Sequence, residues 1–340
     1  MRLFGRSAVV LGVGVLALAS ASLPVTYAAA KVMPVRNVVI GADIARADIP
    51  FFVAMESGFK TEANLQHVKL ILDVSNQSSE TQASQIQTLL NEHVSALILN
   101  PVDASAVVPS ILAANRAHVP VVLIATGANG GKVYTEVTSN DYTNGELGAQ
   151  AIVRFLKQRY GSPRGNVVDC EGIVGTTAAQ LRQAGFMAVM RKYPNIHIVA
   201  TFDGEFAIEP AYVAMKDVLT AHPQIGKTNA IDAVFAADDQ SAAGVTKAIR
   251  ESGRYYSAGS PRHIFITGID GGPTGVSQMK AGNIDWMIGQ RIVAMAEATV
   301  KYAIRAVEGQ PSPGAVVYWP VTLVTPGNLA KVQIWGKSFK

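Results

Sequence analysis

Short runs of β-branched and aliphatic residues alternate with amphipathic segments along most of the chain. The runs predict strands at residues 37–42, 68–74, 96–100, 120–125, 166–170, 197–201, 233–236, 263–268 and 316–324. Helical periodicity predicts helices at residues 79–91, 178–193, 210–221, 241–252 and 292–308. Strands that alternate with helices indicate an α/β fold, in which mostly parallel sheets are covered by helices on both faces.

The order of these elements indicates two consecutive α/β units. One covers residues 35–139, the other covers residues 140–290, and residues 137–141 join them. Two units are also expected from the length of 340 residues, which is more than a single hydrophobic core usually organises. Ligands of such folds bind beyond the carboxyl ends of the strands, so we expect the site at that edge of the sheets.

The first 30 residues have the pattern of a secretory signal peptide. Arg2 and Arg6 precede an apolar run over residues 8–23, and small residues follow at 28–30. The run is shorter than the roughly 18 residues that a membrane-spanning helix needs, and it ends in an A-x-A exit. We therefore predict cleavage after Ala30 and export of the mature chain.

Charge and cysteine usage narrow the function classes. The mature chain keeps 27 basic against 25 acidic residues, because the signal peptide removes Arg2 and Arg6 and no acidic residue. The resulting net charge of +2 is too small and too evenly spread for nucleic-acid binding. Cys170 is the one cysteine of the sequence, which excludes an internal disulfide and a thiolate metal site. We predict no cofactor and no metal.

Six short motifs follow one another along the mature chain. They are Pro50-Phe51-Phe52, Asn100-Pro101-Val102-Asp103, the run from Gly172 to Ala179 followed by Arg182 and Gly185-Phe186, Thr220-Ala221-His222-Pro223, Ala233-Val234-Phe235-Ala236 and Gly268-Ile269-Asp270-Gly271. In this order they resemble the family of periplasmic ribose-binding proteins. The resemblance implies two Rossmann-like lobes, joined by three crossing strands, that close on a sugar and deliver it to an ABC permease. It also implies a monomer in the periplasm, and it leaves open whether a chemoreceptor reads the closed form.

The resemblance further assigns lobe boundaries and ligand contacts. The first lobe is expected to comprise residues 31–139 and 291–319, and the second lobe residues 140–290 and 320–340. The implied ligand contacts are Phe51, Phe52, Arg182, Phe206, Asp238, Asp270 and Gln290.

These residue types suit a monosaccharide or polyol independently of the resemblance. The rings of Phe51 and Phe52, at a predicted strand-to-helix turn, offer apolar faces to the C–H surface of a sugar. Arg supplies a fork of donors, Asp accepts from hydroxyls, and Gln does both. We therefore predict that Asp270→Ala and Arg182→Ala each abolish or strongly weaken binding, while the melting point of the unliganded protein stays nearly unchanged.

The first lobe departs from the family pattern. An Asp-Arg pair of the family falls here on Ala125 and Thr126, and its Asn before the aromatic pair falls on Ile49. In the second lobe, Asp238 stands where the ribose binders have Asn. Because the first lobe loses several hydrogen bonds, we predict that ribose is not the ligand. Candidate replacements in the loop after the first strand are Asp43, Arg46 and Asp48.

Other interpretations of the same residues stay open. The Phe pair also suits core packing, Asp270 before two glycines suits a turn, and Arg182 suits a solvated helix face. Asp238 and Asp239 suit a metal pair by type, but no further ligand follows at the required spacing.

Three function classes compete for the chain as a whole. The leading hypothesis is a solute-binding protein, with a non-sugar ligand such as a furanone-like signal or a nucleoside as the alternative to a sugar. A secreted hydrolase would need a nucleophile with its base, and neither G-x-S-x-G nor a paired His and Asp arrangement occurs. A sugar-responsive repressor would need a helix-turn-helix head, where this sequence has the signal-peptide pattern.

Overall fold

A computed structural model describes residues 38–224 and 230–339, and the predicted signal peptide lies outside these residues. The strands are β1 Val39–Ile44, β2 Lys69–Val74, β3 Ala96–Leu99, β4 Val121–Ile124, β5 Thr135–Ser139, β6 Gly165–Glu171, β7 Ile196–Asp203, β8 Ala233–Ala236, β9 Phe265–Asp270, β10 Trp286–Gly289, β11 Val316–Trp319 and β12 Thr322–Val324. The helices are α1 Pro50–Leu65, α2 Ser79–Asn91, α3 Val108–Arg116, α4 Asp141–Tyr160, α5 Thr177–Met190, α6 Ile208–Ala221, α7 Asp239–Glu251, α8 Pro273–Lys280 and α9 Ile292–Val307.

The strands form two six-stranded sheets. The order is β11-β5-β4-β3-β1-β2 in the first sheet and β12-β10-β9-β8-β6-β7 in the second. Strand β12 runs antiparallel to β10, whereas the other neighbouring strands that we describe are parallel. The two α/β lobes predicted from the sequence are therefore confirmed as the fold class.

Each sheet buries both of its faces under helices. In the first lobe, α1 and α9 pack on one face, and α2 and α3 pack on the other. In the second lobe, α4 and α5 cover one face, and α6, α7 and α8 cover the other. Burial on both faces explains why strands such as β3 and β8 consist entirely of buried apolar residues.

The chain passes between the sheets at three places. Strand β5 of the first sheet leads into α4 on the second, the segment after β10 leads back to α9, and β11 and β12 belong to different sheets. No helix within residues 38–224 and 230–339 is long and apolar enough to cross a membrane.

The structure corrects several element boundaries. The single strand predicted at residues 316–324 is two strands in different sheets, because the chain changes lobe around Pro320. The joining segment predicted at residues 137–141 is the end of β5 and the first residue of α4. Strand β9 extends to Asp270, two residues beyond the predicted end at Gly268, so this aspartate belongs to the sheet edge.

Candidate functional site

The carboxyl ends of strands from both sheets lie at one cleft. The space left between its atoms is about 410 Å³, part of it open to solvent. The residues that line it are Ile49, Phe51, Phe52, Asn100, Ala125, Thr126, Ala178, Arg182, Phe206, Asp238 and Asp270. Six of the seven residues that the sequence nominated are in this set, and Gln290 is not.

The first turn of α1 presents the aromatic pair. Pro50 occupies the first position of the helix, where its fixed φ and missing N–H are favourable. The rings of Phe51 and Phe52 pack edge to face, with centroids 5.5 Å apart. Phe52 also belongs to the core of the first lobe, so both the packing role and the cleft position apply to this pair.

The second lobe adds a third ring and the arginine. Phe206 lies in the loop between β7 and α6, in a left-handed backbone conformation with φ of 50°. The guanidinium carbon of Arg182 lies 5.4 Å from the centroid of this ring. A cation at this distance from an aromatic face is attracted to it, so the contact stabilises the two side chains next to each other.

Arg182 is held by three polar neighbours. Its Nε donates to Asp141 at 2.8 Å, and its Nη1 donates to the carbonyl of Ala237 at 2.7 Å. The same Nη1 lies 3.9 Å from Oδ1 of Asp270. Burial disfavours the charged guanidinium, but the carboxylates of Asp141 and Asp270 outweigh this effect and raise the pKa of Arg182. Its Nη2 has no hydrogen-bond partner among the residues that the structure describes.

These contacts change the stability expected for Arg182→Ala. The sequence alone predicts an unchanged melting point, because it places this side chain beside a cleft, where it interacts with ligand hydroxyls rather than with the core. Arg182 is 5% exposed and Asp141 is 3% exposed. Because the substitution leaves a buried carboxylate without its counter-charge, we now expect a loss of stability as well as of binding.

Asp270 sits at the end of β9 in a strained backbone conformation. Its φ is 107°, a value that residues other than glycine rarely adopt and that is often found at functional sites. The amide of Gln290 donates to its Oδ1 at 2.6 Å. Burial raises the pKa of Asp270 to about 7, against the opposing effect of the Arg182 charge. Its Oδ2 has no hydrogen-bond partner within residues 38–224 and 230–339.

Gln290 lies behind Asp270 and does not line the cleft. Its side-chain oxygen accepts a hydrogen bond of 2.7 Å from Ser139, while its nitrogen binds Asp270. The bond from Ser139 thus orients the amide so that its nitrogen holds the aspartate. Asn144 continues this chain by donating to the Ser139 hydroxyl at 2.9 Å.

Asp238 caps the N-terminus of α7. One carboxylate oxygen accepts from the backbone of Ser241 at 2.9 Å, and the other accepts from Gln240 at 3.1 Å. Burial raises its pKa, against these hydrogen bonds. The neighbouring Asp239 points elsewhere and accepts from the backbone of Gly272 at 2.7 Å. The described residues contain no group of three or more acidic, His or Cys side chains that is arranged to hold a metal.

The candidate replacements in the first lobe do not line the cleft. Asp43 is fully buried and accepts hydrogen bonds from Ser75 and Gln82. Arg46 is paired with Asp48 through two contacts of 2.7 and 2.8 Å. The three departures from the family pattern, Ile49, Ala125 and Thr126, do line the cleft.

Away from the segments that connect the lobes, hydrogen bonds between described residues of the two lobes hold the cleft closed. The backbone of Ala104 donates to Gly175 at 3.1 Å. Gly127 donates to the hydroxyl of Thr177 at 2.7 Å, and Arg46 donates to the carbonyl of Glu205 at 3.4 Å. A ligand in this cleft would be enclosed by both lobes.

Sequence reasoning missed several residues of the site. Asn100 and Ala178 line the cleft, and Asp141 holds the arginine. Asn100 carried a recognisable signal, since a polar residue directly after a buried strand marks the carboxyl edge of the sheet. Asp141 carried none, because its role depends on the packing of α4 against α5.

Known proteins that are similar in sequence to this chain are binding proteins. The profile of the periplasmic binding protein domain family matches residues 40–311. The ribose import binding protein of Bacillus subtilis is 29% identical over 252 residues, which is 74% of this chain and 76% of that protein. A xylitol-binding protein of Mycolicibacterium smegmatis is 29% identical over 234 residues, or 68% of this chain and 62% of that protein.

A solved structure shares the fold. It is an ABC transporter solute-binding protein from Bacillus halodurans with bound myo-inositol. The TM-score is 0.77 at 24% identity, and the alignment covers 88% of this chain and 98% of that one.

Proposed function

This chain belongs to the periplasmic binding protein domain family, and we propose that it captures a monosaccharide or polyol in the cleft between its lobes. In this proposal it acts in the periplasm as a monomer without enzymatic activity and delivers the ligand to an ABC importer of the inner membrane. The curated relatives reported above, which bind ribose and xylitol, support the ligand class.

One observation carries the proposal. Nη2 of Arg182 and Oδ2 of Asp270 are a donor and an acceptor without hydrogen-bond partners among the described residues, in a cleft that also contains three phenylalanine rings. A hydroxyl both donates and accepts, so a polyol satisfies the two groups together. The rings of Phe51, Phe52 and Phe206 offer apolar surface to the C–H bonds of the same molecule.

Each nominated residue then has a proposed role. Arg182 donates to a ligand oxygen, Asp270 accepts from a hydroxyl, and Asp238 adds a second acidic acceptor on the same wall. Gln290 acts through Asp270 and positions its carboxylate. Ribose is proposed not to be the ligand, because Ala125 and Ile49 supply no hydrogen bonds from the first lobe.

A ligand screen by thermal unfolding tests the proposal with the chain from residue 31 onward. A ligand that binds only the folded protein stabilises it by about 2.7 kcal/mol at a hundredfold excess over its Kd. We expect a monosaccharide or polyol to give the largest rise in melting temperature, and ribose a small one. Failure of every sugar and polyol, with a nucleoside or a furanone giving the rise instead, would contradict the proposed ligand class.

A further inference from the structure

The two walls of the cleft differ sharply in polarity. The second lobe contributes the charged residues Arg182, Asp238 and Asp270, together with the apolar residues Ala178 and Phe206. The first lobe contributes four apolar side chains and two polar ones, namely Ile49, Phe51, Phe52, Ala125, Asn100 and Thr126. Hydrogen-bonding capacity is therefore concentrated on one side of any ligand.

The polar side chains of the first lobe are uncharged, and Asn100 is partly used within the lobe. The amide oxygen of Asn100 accepts from the backbone of Ala45 at 3.3 Å, and its nitrogen donates to the carbonyl of Ile124 at 2.9 Å. The hydroxyl of Thr126 remains as the side-chain group of this wall without a hydrogen bond to a described residue. This hydroxyl and the remaining N–H and lone pair of Asn100 are uncharged groups, and they form weaker hydrogen bonds to a hydroxylated edge than the guanidinium and carboxylates of the facing wall do.

Charged residues nearby do not compensate. Asp43 is turned into the lobe, toward Gln82 at 2.8 Å. The guanidinium of Arg46 is occupied by Asp48 and by the carbonyl of Glu205. The apolar surface made by Ile49 and Ala125 thus faces the ligand directly.

A hydroxyl buried against this surface would lose its hydrogen bonds to water without replacing them. Such a mismatch typically costs about 10- to 100-fold in affinity. We propose that the ligand is a deoxy sugar or deoxy polyol, with a methyl group or C–H bonds on the edge that faces the first lobe and hydroxyls on the edge that faces Arg182 and Asp270. This inference rests on the proposed function and names the substrate class of the same site.

Ala125 offers a direct way to change this preference. It has φ of 61° and is half-buried at the cleft. Asparagine tolerates the left-handed region better than alanine does, so Ala125→Asn adds a polar group to the apolar wall without new backbone strain. His93 has φ of 56° and is exposed. It precedes β3 and so lies near the amino ends of the strands, away from the cleft. His93→Asn is therefore a matched control.

Calorimetric titration with pairs of sugars that differ by one hydroxyl tests the inference. The pairs are D-galactose with D-fucose, L-mannose with L-rhamnose, and D-glucose with D-quinovose. For wild type we expect the deoxy member of at least one pair to bind roughly 10-fold or more tightly than its parent. In Ala125→Asn this ratio should fall by at least about fivefold, and in His93→Asn it should stay as in wild type.

The outcomes separate this inference from the proposed function. If a parent sugar binds and every deoxy member binds equally or more weakly, the cleft is a sugar site and the deoxy inference is overturned. An unchanged ratio in Ala125→Asn would likewise overturn the assignment of the apolar wall. If no member of any pair binds, the deoxy inference is overturned. The broader thermal screen of sugars and polyols then tests the proposed function separately.

Discussion

The indole nitrogen of Trp335 donates a hydrogen bond of 2.8 Å to the backbone carbonyl of Asp270. The same indole packs edge to face on Phe51, with ring centroids 6.5 Å apart. Next to it, the backbone of Gly336 donates to the carbonyl of Gly271 at 3.1 Å. The C-terminal segment therefore contacts both walls of the cleft and supports the strained backbone of the aspartate.

We predict that Trp335→Phe weakens ligand binding by roughly 3- to 10-fold, because it removes the hydrogen bond to Asp270 and keeps an aromatic ring beside Phe51. Titration calorimetry with the best ligand of the screen measures this effect. Trp286→Phe is the control, since the Trp286 indole nitrogen is buried and has no hydrogen bond to a described residue. Equal losses in both variants would show that the Trp335 contact does not position the aspartate.

The pair of Arg182 and Asp141 separates binding from stability. Arg182→Met should abolish measurable binding and also lower the free energy of unfolding by about 3–5 kcal/mol, because it leaves Asp141 buried without its counter-charge. In the double variant Arg182→Met with Asp141→Asn, much of the stability should return while binding stays lost. Chemical denaturation and calorimetry measure the two effects. A single variant as stable as wild type would contradict the structural role of the pair.

Lobe closure depends in part on the hydroxyl of Thr177. Thr177→Val keeps the shape of the side chain and removes the acceptor for Gly127. We expect affinity to fall about two- to tenfold, with the unliganded melting temperature nearly unchanged, since the lost bond forms only when the lobes meet. The exposed Thr220, whose hydroxyl binds a carbonyl of its own helix, supplies the control Thr220→Val. A drop in unliganded stability with intact affinity would refute this role.

Asp169 makes the stability of the fold depend on pH. Neither carboxylate oxygen has a hydrogen-bond partner among the described residues, and burial raises the pKa of this side chain to about 8. The native state thus favours the protonated form of Asp169. The contribution of this residue to the free energy of unfolding is therefore largest in acid and declines as the pH rises toward 8.

Asp169→Asn should therefore melt higher than wild type at pH near 8, and the difference should shrink as the pH is lowered toward the unfolded pKa of about 4. Thermal unfolding over this pH range measures the difference. Asp217→Asn, an exposed position on α6, serves as the control. A difference that grows in acid would have the wrong sign for a raised pKa.

Local patterning predicted much of the fold. The helix at residues 79–91 matches α2 residue for residue, because its amphipathic face and its Ser78 cap lie within the segment itself. The pattern does not predict strand β5 and indicates a joining segment at residues 137–141 instead, since Thr135–Ser139 is largely polar although mostly buried. The change of sheet between β11 and β12 is a property of the packed lobes, and Pro320 alone does not reveal it.

The candidate site was predictable where a residue follows a strand and hidden where it depends on distant packing. Asp238 and Asp270 stand at the ends of strongly hydrophobic strands, so their position at the cleft follows from chain order. Support of Asp270 by Trp335 spans 65 residues of sequence. No local pattern connects the two, and the contact emerges only from the packing of the C-terminal segment against both lobes.

A substitution of Asp270 tests directly whether this cleft is the ligand site. Asparagine tolerates its positive φ and can still accept from Gln290, but it replaces the free carboxylate oxygen with an NH₂ donor. Titration calorimetry should compare wild type and Asp270→Asn with the sugar or polyol that gives the largest melting shift. We predict an affinity loss of roughly 30- to 150-fold with the unliganded melting temperature nearly unchanged. An unchanged affinity would contradict the claim that this cleft is the ligand site.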